Sequence, residues 1–176
     1  MALDLKIKTN SEAIKKRFNR IERKFPSIID KGILQGGFQL LDIIRTKTAK
    51  GIDFRNVPFA TYSESYRKQL QREGKPLKVD LFYSGRMLGS LTPNQTIKKT
   101  GKHKVTLAFT NAEMRQRALF NQVLNEPKRV FFGFNDRTEK IISKQFNRFI
   151  AKEFKKQRLW VYEKILHQTY YLPYQV

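Results

Sequence analysis

Cysteine is absent from this 176-residue chain, so it holds no disulfide, zinc–thiolate site or thiol nucleophile. Histidine is nearly absent too. His103 and His167 have no carboxylate at ligand spacing, and no metal site is expected. Acids are few, fifteen Asp and Glu against 36 Lys and Arg, and they are scattered, whereas two-metal phosphodiester chemistry needs clustered carboxylates. The triplet Glu22-Arg23-Lys24, with Asp4 or Asp30 as partner, has a nuclease-like spacing that arises easily by chance in so basic a chain. Gly85 to Ser90 lacks the Gly-Lys-Ser/Thr end of a phosphate loop, and no G-x-S-x-G elbow occurs. A Ser/His/Asp set assembles in space and cannot be read from spacing, but nothing recommends one. No run approaches the roughly 20 apolar residues that span a bilayer. Met1 to Asn10 has no long apolar stretch, so no secretory leader is expected. These absences lead us to expect a soluble, non-enzymatic protein made in a cytoplasm, with no cofactor and no membrane contact.

What is present is apolar surface and positive charge. The chain is 40% hydrophobic and 12% aromatic, enough for a packed core in a single domain. Its net charge of +21 attracts polyanions, so nucleic acid or acidic partner proteins are the expected neighbours.

Periodicity gives an α+β chain. Leu3, Leu5 and Ile7 alternate with polar residues over Ala2–Thr9, a half-buried strand. A helix is expected from Glu12 to Phe25, interrupted by Pro26. A long one follows over Ser27–Ala49, with Ile29, Ile33, Leu34, Phe38, Leu41 and Ile44 as its stripe. Gly36 and Gly37 inside it mark a close crossing or a kink. Thr61 and Glu64 fit a capping box for a short basic helix. Gly85–Leu91 has room for one helical turn. Ile97 and the alternating Val105, Leu107 and Phe109 flank Thr100-Gly101-Lys102, a hairpin. Ala112–Leu124 reads as a helix, Val130–Phe134 as β-prone, and a last helix capped by Asn135 or Asp136 runs toward His167. Residues 1–169 are expected to form one domain. It would hold a small antiparallel sheet with a projecting hairpin, packed against two long helices. Residues 170–176 are expected to form an extended tail.

Two cationic clusters stand out. Lys98, Lys99, Lys102, His103 and Lys104 crowd the hairpin tip, where they suit phosphate or an acidic ring; the plain alternative is a solvated turn. Lys152, Lys155, Lys156 and Arg158 lie on the last helix, where solvation is the simpler account. No sequence-reading nucleic-acid motif accompanies either cluster.

Three stretches carry a family resemblance. Gly51-Ile52-Asp53-Phe54-Arg55-Asn56-Val57-Pro58-Phe59, with Tyr62-Ser63 after it, is similar to a "G-x-D-x-x-G-x-P-F-x-x-Y-S" loop. Leu81 to Leu91, containing Ser84-Gly85-Arg86-Met87-Leu88, is similar to "L-x-x-T/S-G-x-M-L-x-S-L". Arg129-Val130-Phe131-Phe132-Gly133 is similar to "R-x-F-x-G". In this order they resemble the tailed-phage virion morphogenesis, or tail-completion (head–tail joining), family. The matching positions Gly51, Pro58, Gly85, Met87, Leu88, Arg129, Phe131 and Gly133 would be structural; Asn56 departs from the family's Gly. The resemblance implies a structural subunit at the head–tail interface of a virion, a homo-oligomer forming a hexameric ring. Its neighbours would be head-connector or adaptor and tail-tube proteins, with non-specific contact to genomic DNA in the channel. On that expectation Tyr170, Tyr171, Leu172 and Tyr174 contact an adjacent subunit. The alternative is a free basic nucleic-acid-binding protein that packages or condenses DNA.

Overall fold

A computed structural model describes residues 11–156; the expected strand Ala2–Thr9, His167 and the tail Tyr170–Val176 lie outside the described residues. The order is α1 (Ser11–Ala49), α2 (Glu64–Arg72), α3 (Arg86–Gly89), α4 (Pro93–Thr96), β1 (Ile97–Gly101), β2 (Lys104–Leu107), α5 (Ala112–Leu119) and α6 (Asp136–Lys156). α5 runs on into a π-helical turn, Phe120–Leu124. The class is mixed helix and sheet, with two long helices and a two-stranded antiparallel hairpin as the only sheet among the described residues.

Pro26 does not divide the first helices. α1 runs through it, although proline removes one backbone bond at a cost of roughly 3 kcal/mol. Packing offsets the loss. Phe25 stacks on Phe154 of α6 with ring centroids 5.8 Å apart, Ile28 is buried, and the Ser27 hydroxyl donates to the Lys24 carbonyl at 2.9 Å.

The antiparallel α1–α6 crossing explains the glycines. A Cβ on Gly32 would lie 2.8 Å from the Phe146 ring, and one on Gly36 would lie 3.2 Å from Ile142. A Cβ on Gly37 would meet Val105 of the hairpin at 3.2 Å. Gly36 and Gly37 therefore mark close crossings rather than a kink. The stripe expected on α1 is rotated: Leu41, Ile44 and Thr48 are buried, while Leu34 and Phe38 remain exposed.

The core gathers Leu41 and Ile44 with Phe59, Val79, Met87, Leu88, Leu91, Ile97, Phe109, Met114, Ala118 and Phe131. One expected cap moves, that of α2, while the cap expected for α6 is kept. The cap of α2 is Ser63 rather than Thr61, and its hydroxyl accepts from the Tyr66 amide. Asn135 caps α6, its side chain accepting from the Thr138 amide at 2.9 Å. Val130–Phe134 forms no strand. The Gln122 side chain takes the place of a neighbouring strand, accepting from the Phe132 amide at 3.0 Å and donating to its carbonyl at 3.1 Å. No helix among the described residues is long and apolar enough to cross a membrane.

Candidate functional site

The expected hairpin forms, but it does not project. Its register pairs Ile97 with Leu107, Lys98 with Thr106 and Lys99 with Val105, and its inner side chains pack against α1. The turn is Lys102–His103, with His103 at φ 55, one residue later than expected. Asp30 of α1 clamps it. Its carboxylate accepts from the His103 amide at 3.2 Å, meets the ring Nδ1 at 2.9 Å, and pairs with Lys99. The Lys99 bond, with those from His103, outweighs partial burial and holds the Asp30 carboxyl below its usual range. Of the five tip residues, Lys99 and His103 are thus engaged in the fold, while Lys98, Lys102 and Lys104 face solvent. The carboxylate that meets His103 is distant in sequence, since Asp30 is 73 residues away. The Asp30 carboxylate is thus occupied by the hairpin, and Glu22 is exposed on the same helix.

Residues of the three sequence motifs converge at the other end of α1. Asp53, 4% exposed, organises the loop. Its Oδ1 accepts from the Arg55 and Val57 amides, both at 2.8 Å, and its Oδ2 pairs with the Arg55 Nε at 2.9 Å. Gly51 sits at φ +80, where a Cβ would lie 2.9 Å from the Val79 carbonyl oxygen. Pro58 bridges Ile52, and the Phe59 amide bonds back to the Gly51 carbonyl. Asn56, the departure from the motif, has φ 72, a conformation that Asn adopts more readily than most residues, so the turn survives without glycine.

Arg129 ties this loop to the chain before α6. It is buried, donates to the carbonyls of Ala60 at 3.3 Å and Thr61 at 3.2 Å, and lies over the Tyr62 ring at 5.0 Å. Gly133 lets Phe54 approach to 3.1 Å of where a Cβ would stand; Phe131 is 2% exposed, and Phe132 tilts against Phe109. Gly85, at φ +69 against the Phe82 ring, starts the turn that buries Met87 and Leu88. All eight motif positions serve the fold. Lys47 is drawn into the same junction, its ammonium donating to the Phe54 carbonyl and Thr138 hydroxyl at 3.3 Å. Burial, then the nearby Arg137, pushes its pKa down.

Beside Arg129 lies a cleft of about 400 Å³ lined by Tyr62, Tyr66, Tyr83, Met87 and Arg117. Tyr83 also joins the cleft to a polar cluster outside it, through the bond from its hydroxyl to Glu73. Glu73 binds Lys75 at 2.8 Å, Gln69 at 2.9 Å and Tyr83 at 2.9 Å, with the Lys75 bond foremost, and its carboxyl is pulled down to about 2. A depressed carboxyl contributes stability above its ordinary value near 4.5 and loses it as pH falls toward 2. Glu73→Gln is therefore expected to flatten the fall of melting temperature between those pH values. Calorimetric melts over that range check this, and an unchanged slope contradicts it.

The surface outside these sites is apolar in runs. Leu119, Phe120, Val123 and Leu124 are exposed along α5 and its π-turn; Leu34 and Phe38 are exposed one turn apart on α1. Among the described residues, no group of three His, Cys, Asp or Glu is placed to hold a metal ion. No family model, curated protein or solved structure matches the chain.

Proposed function

We propose that the chain is a ring-forming, non-enzymatic structural subunit of a tailed-phage virion. In this reading it is a tail-completion or neck protein joining the head connector to the tail around the DNA channel. The observation that carries this reading is a division of labour among side chains. The eight motif residues hold the loop and the core together, while large apolar side chains from Phe18 to Ile141 stay exposed. Contiguous exposed apolar residues mark surfaces that other proteins cover. Repeated interfaces around a hexameric ring multiply a modest affinity per subunit. The cations Lys98, Lys102 and Lys104 then face the channel DNA or an acidic neighbouring ring, and the tail residues Tyr170, Tyr171, Leu172 and Tyr174 add a contact to the next copy. In this role the protein is assembled in the host cytoplasm and ends in the virion.

The competing DNA-condensing reading is favoured by the net charge of +21. Sedimentation combined with a gel-shift series against salt separates the two. The structural reading expects a closed oligomer that binds DNA weakly. A monomer that binds DNA tightly, with affinity falling steeply as salt rises, contradicts it.

A further inference from the structure

The two-stranded hairpin leaves one edge open. The Ala108 amide donates to the Thr96 carbonyl at 3.0 Å, so the even positions of β2 face β1. Alternation turns the backbone polar groups of Val105 and Leu107 to the opposite edge. Among the described residues no strand pairs with that edge. It borders an apolar groove of about 560 Å³ between β2 and α6. The floor is Gly36 and Gly37 of α1, and the walls are Val105 and Leu107 on one side, Ile142 and Phe146 on the other.

An open edge beside an apolar trough suits an extended segment with alternate apolar residues and no proline. Two segments of this chain lie outside the described residues and have strand-like sequences. The tail Tyr170–Val176 carries Pro173, which gives the ladder no donor. Ala2–Thr9 carries none, and Leu3, Leu5 and Ile7 share one face.

We infer that Ala2–Thr9 of one copy adds as a strand to β2 of an adjoining copy, filling this groove. Reach excludes the same copy. α1 begins at Ser11, and Gly36 lies 25 residues on, about 38 Å along the helix. The nine residues Ala2–Asn10, fully extended, cover roughly 30 Å. Their apolar positions therefore fall short of their own groove. A parallel register that sets Leu5 on Val105 and Ile7 on Leu107 places Asp4 beside Lys104, an opposite-charge pair. Passed from each copy to the next, the strand makes a head-to-tail contact, the kind that builds a ring where its rotation closes. This rests on the ring-forming reading and deepens it.

The absence of native cysteine makes a direct test clean. Leu5→Cys and Val105→Cys are made as separate full-length variants, mixed and oxidised, and a disulfide joining two different chains is expected. The double variant should give a ladder of linked copies. Ser143→Trp, which fills the groove from α6, should cut linking severalfold without lowering the melting temperature. A link formed only within one chain, or formed by Tyr171→Cys in place of Leu5→Cys, overturns the inference. Closed oligomers with no link overturn the strand exchange and leave the ring standing. A monomer at every concentration overturns both.

Discussion

Phe131→Ala is expected to destabilise the chain by about 3–5 kcal/mol, the range for emptying a phenylalanine site in a core. Phe131 is 2% exposed and sits edge-on to Phe109 at 6.3 Å and to Phe132 at 6.2 Å. It has little freedom to be replaced by collapse, because the backbone on either side is pinned. The Phe54 amide donates to the Val130 carbonyl at 3.2 Å, and Gln122 holds Phe132. Domains are stable by only about 5–15 kcal/mol, so this one change removes a large part of the margin. In a chain of this size it corresponds to a fall in melting temperature of roughly 6–20 °C. Phe134→Ala is the matched control, since Phe134 is 56% exposed and a surface change there stays within about 0.5 kcal/mol. Urea titration of both variants checks the pair. Equal midpoints would mean that the junction between loop and α6 is not the core it is taken to be.

Gly32→Leu is the second large effect. Its first added carbon alone would lie 2.8 Å from Phe146 and 3.1 Å from Phe149, both on α6. Overpacking of this kind costs roughly 1–3 kcal/mol, and two aromatic rings must move here, which places the expected cost near the upper end. Gly89→Ala meets nothing within 4 Å and should be close to neutral. Combining Gly32→Leu with Phe146→Ala should restore part of the loss, because the two residues share one contact. Denaturation midpoints of the single and double variants measure that coupling. Simple additivity would show that the helices do not meet at Gly32.

The parts of the fold that local chemistry decides were legible in the sequence. Val105 and Leu107 alternate in the pattern of a half-buried strand, and the hairpin is there. Asn135 has the side chain for a helix cap and provides it. The motif loop kept its turn at Asn56 because asparagine tolerates the left-handed region. What failed depends on groups distant in sequence. Pro26 has the local signature of a break, yet packing of Phe25 on Phe154 carries the helix through it. Val130–Phe134 has β-prone side chains, but a glutamine side chain pairs with it in place of a strand. Gly32 carried no signal, because its role exists only once α6 lies across it. The candidate site divides in the same way. The lysines of the hairpin were visible, whereas the clamp from Asp30, which removes Lys99 and His103 from the free cations, was not.

A consistent picture joins these points. Motif residues spend their bonding on a rigid junction, glycines draw two long helices and a hairpin together, and large apolar side chains and lysines remain exposed. The most direct measurement is electron microscopy of purified phage particles labelled with an antibody against this chain. The account predicts label at the collar between head and tail, in register with a ring around the channel. Label absent from intact particles, with the protein recovered only in free form from the lysate, would contradict it.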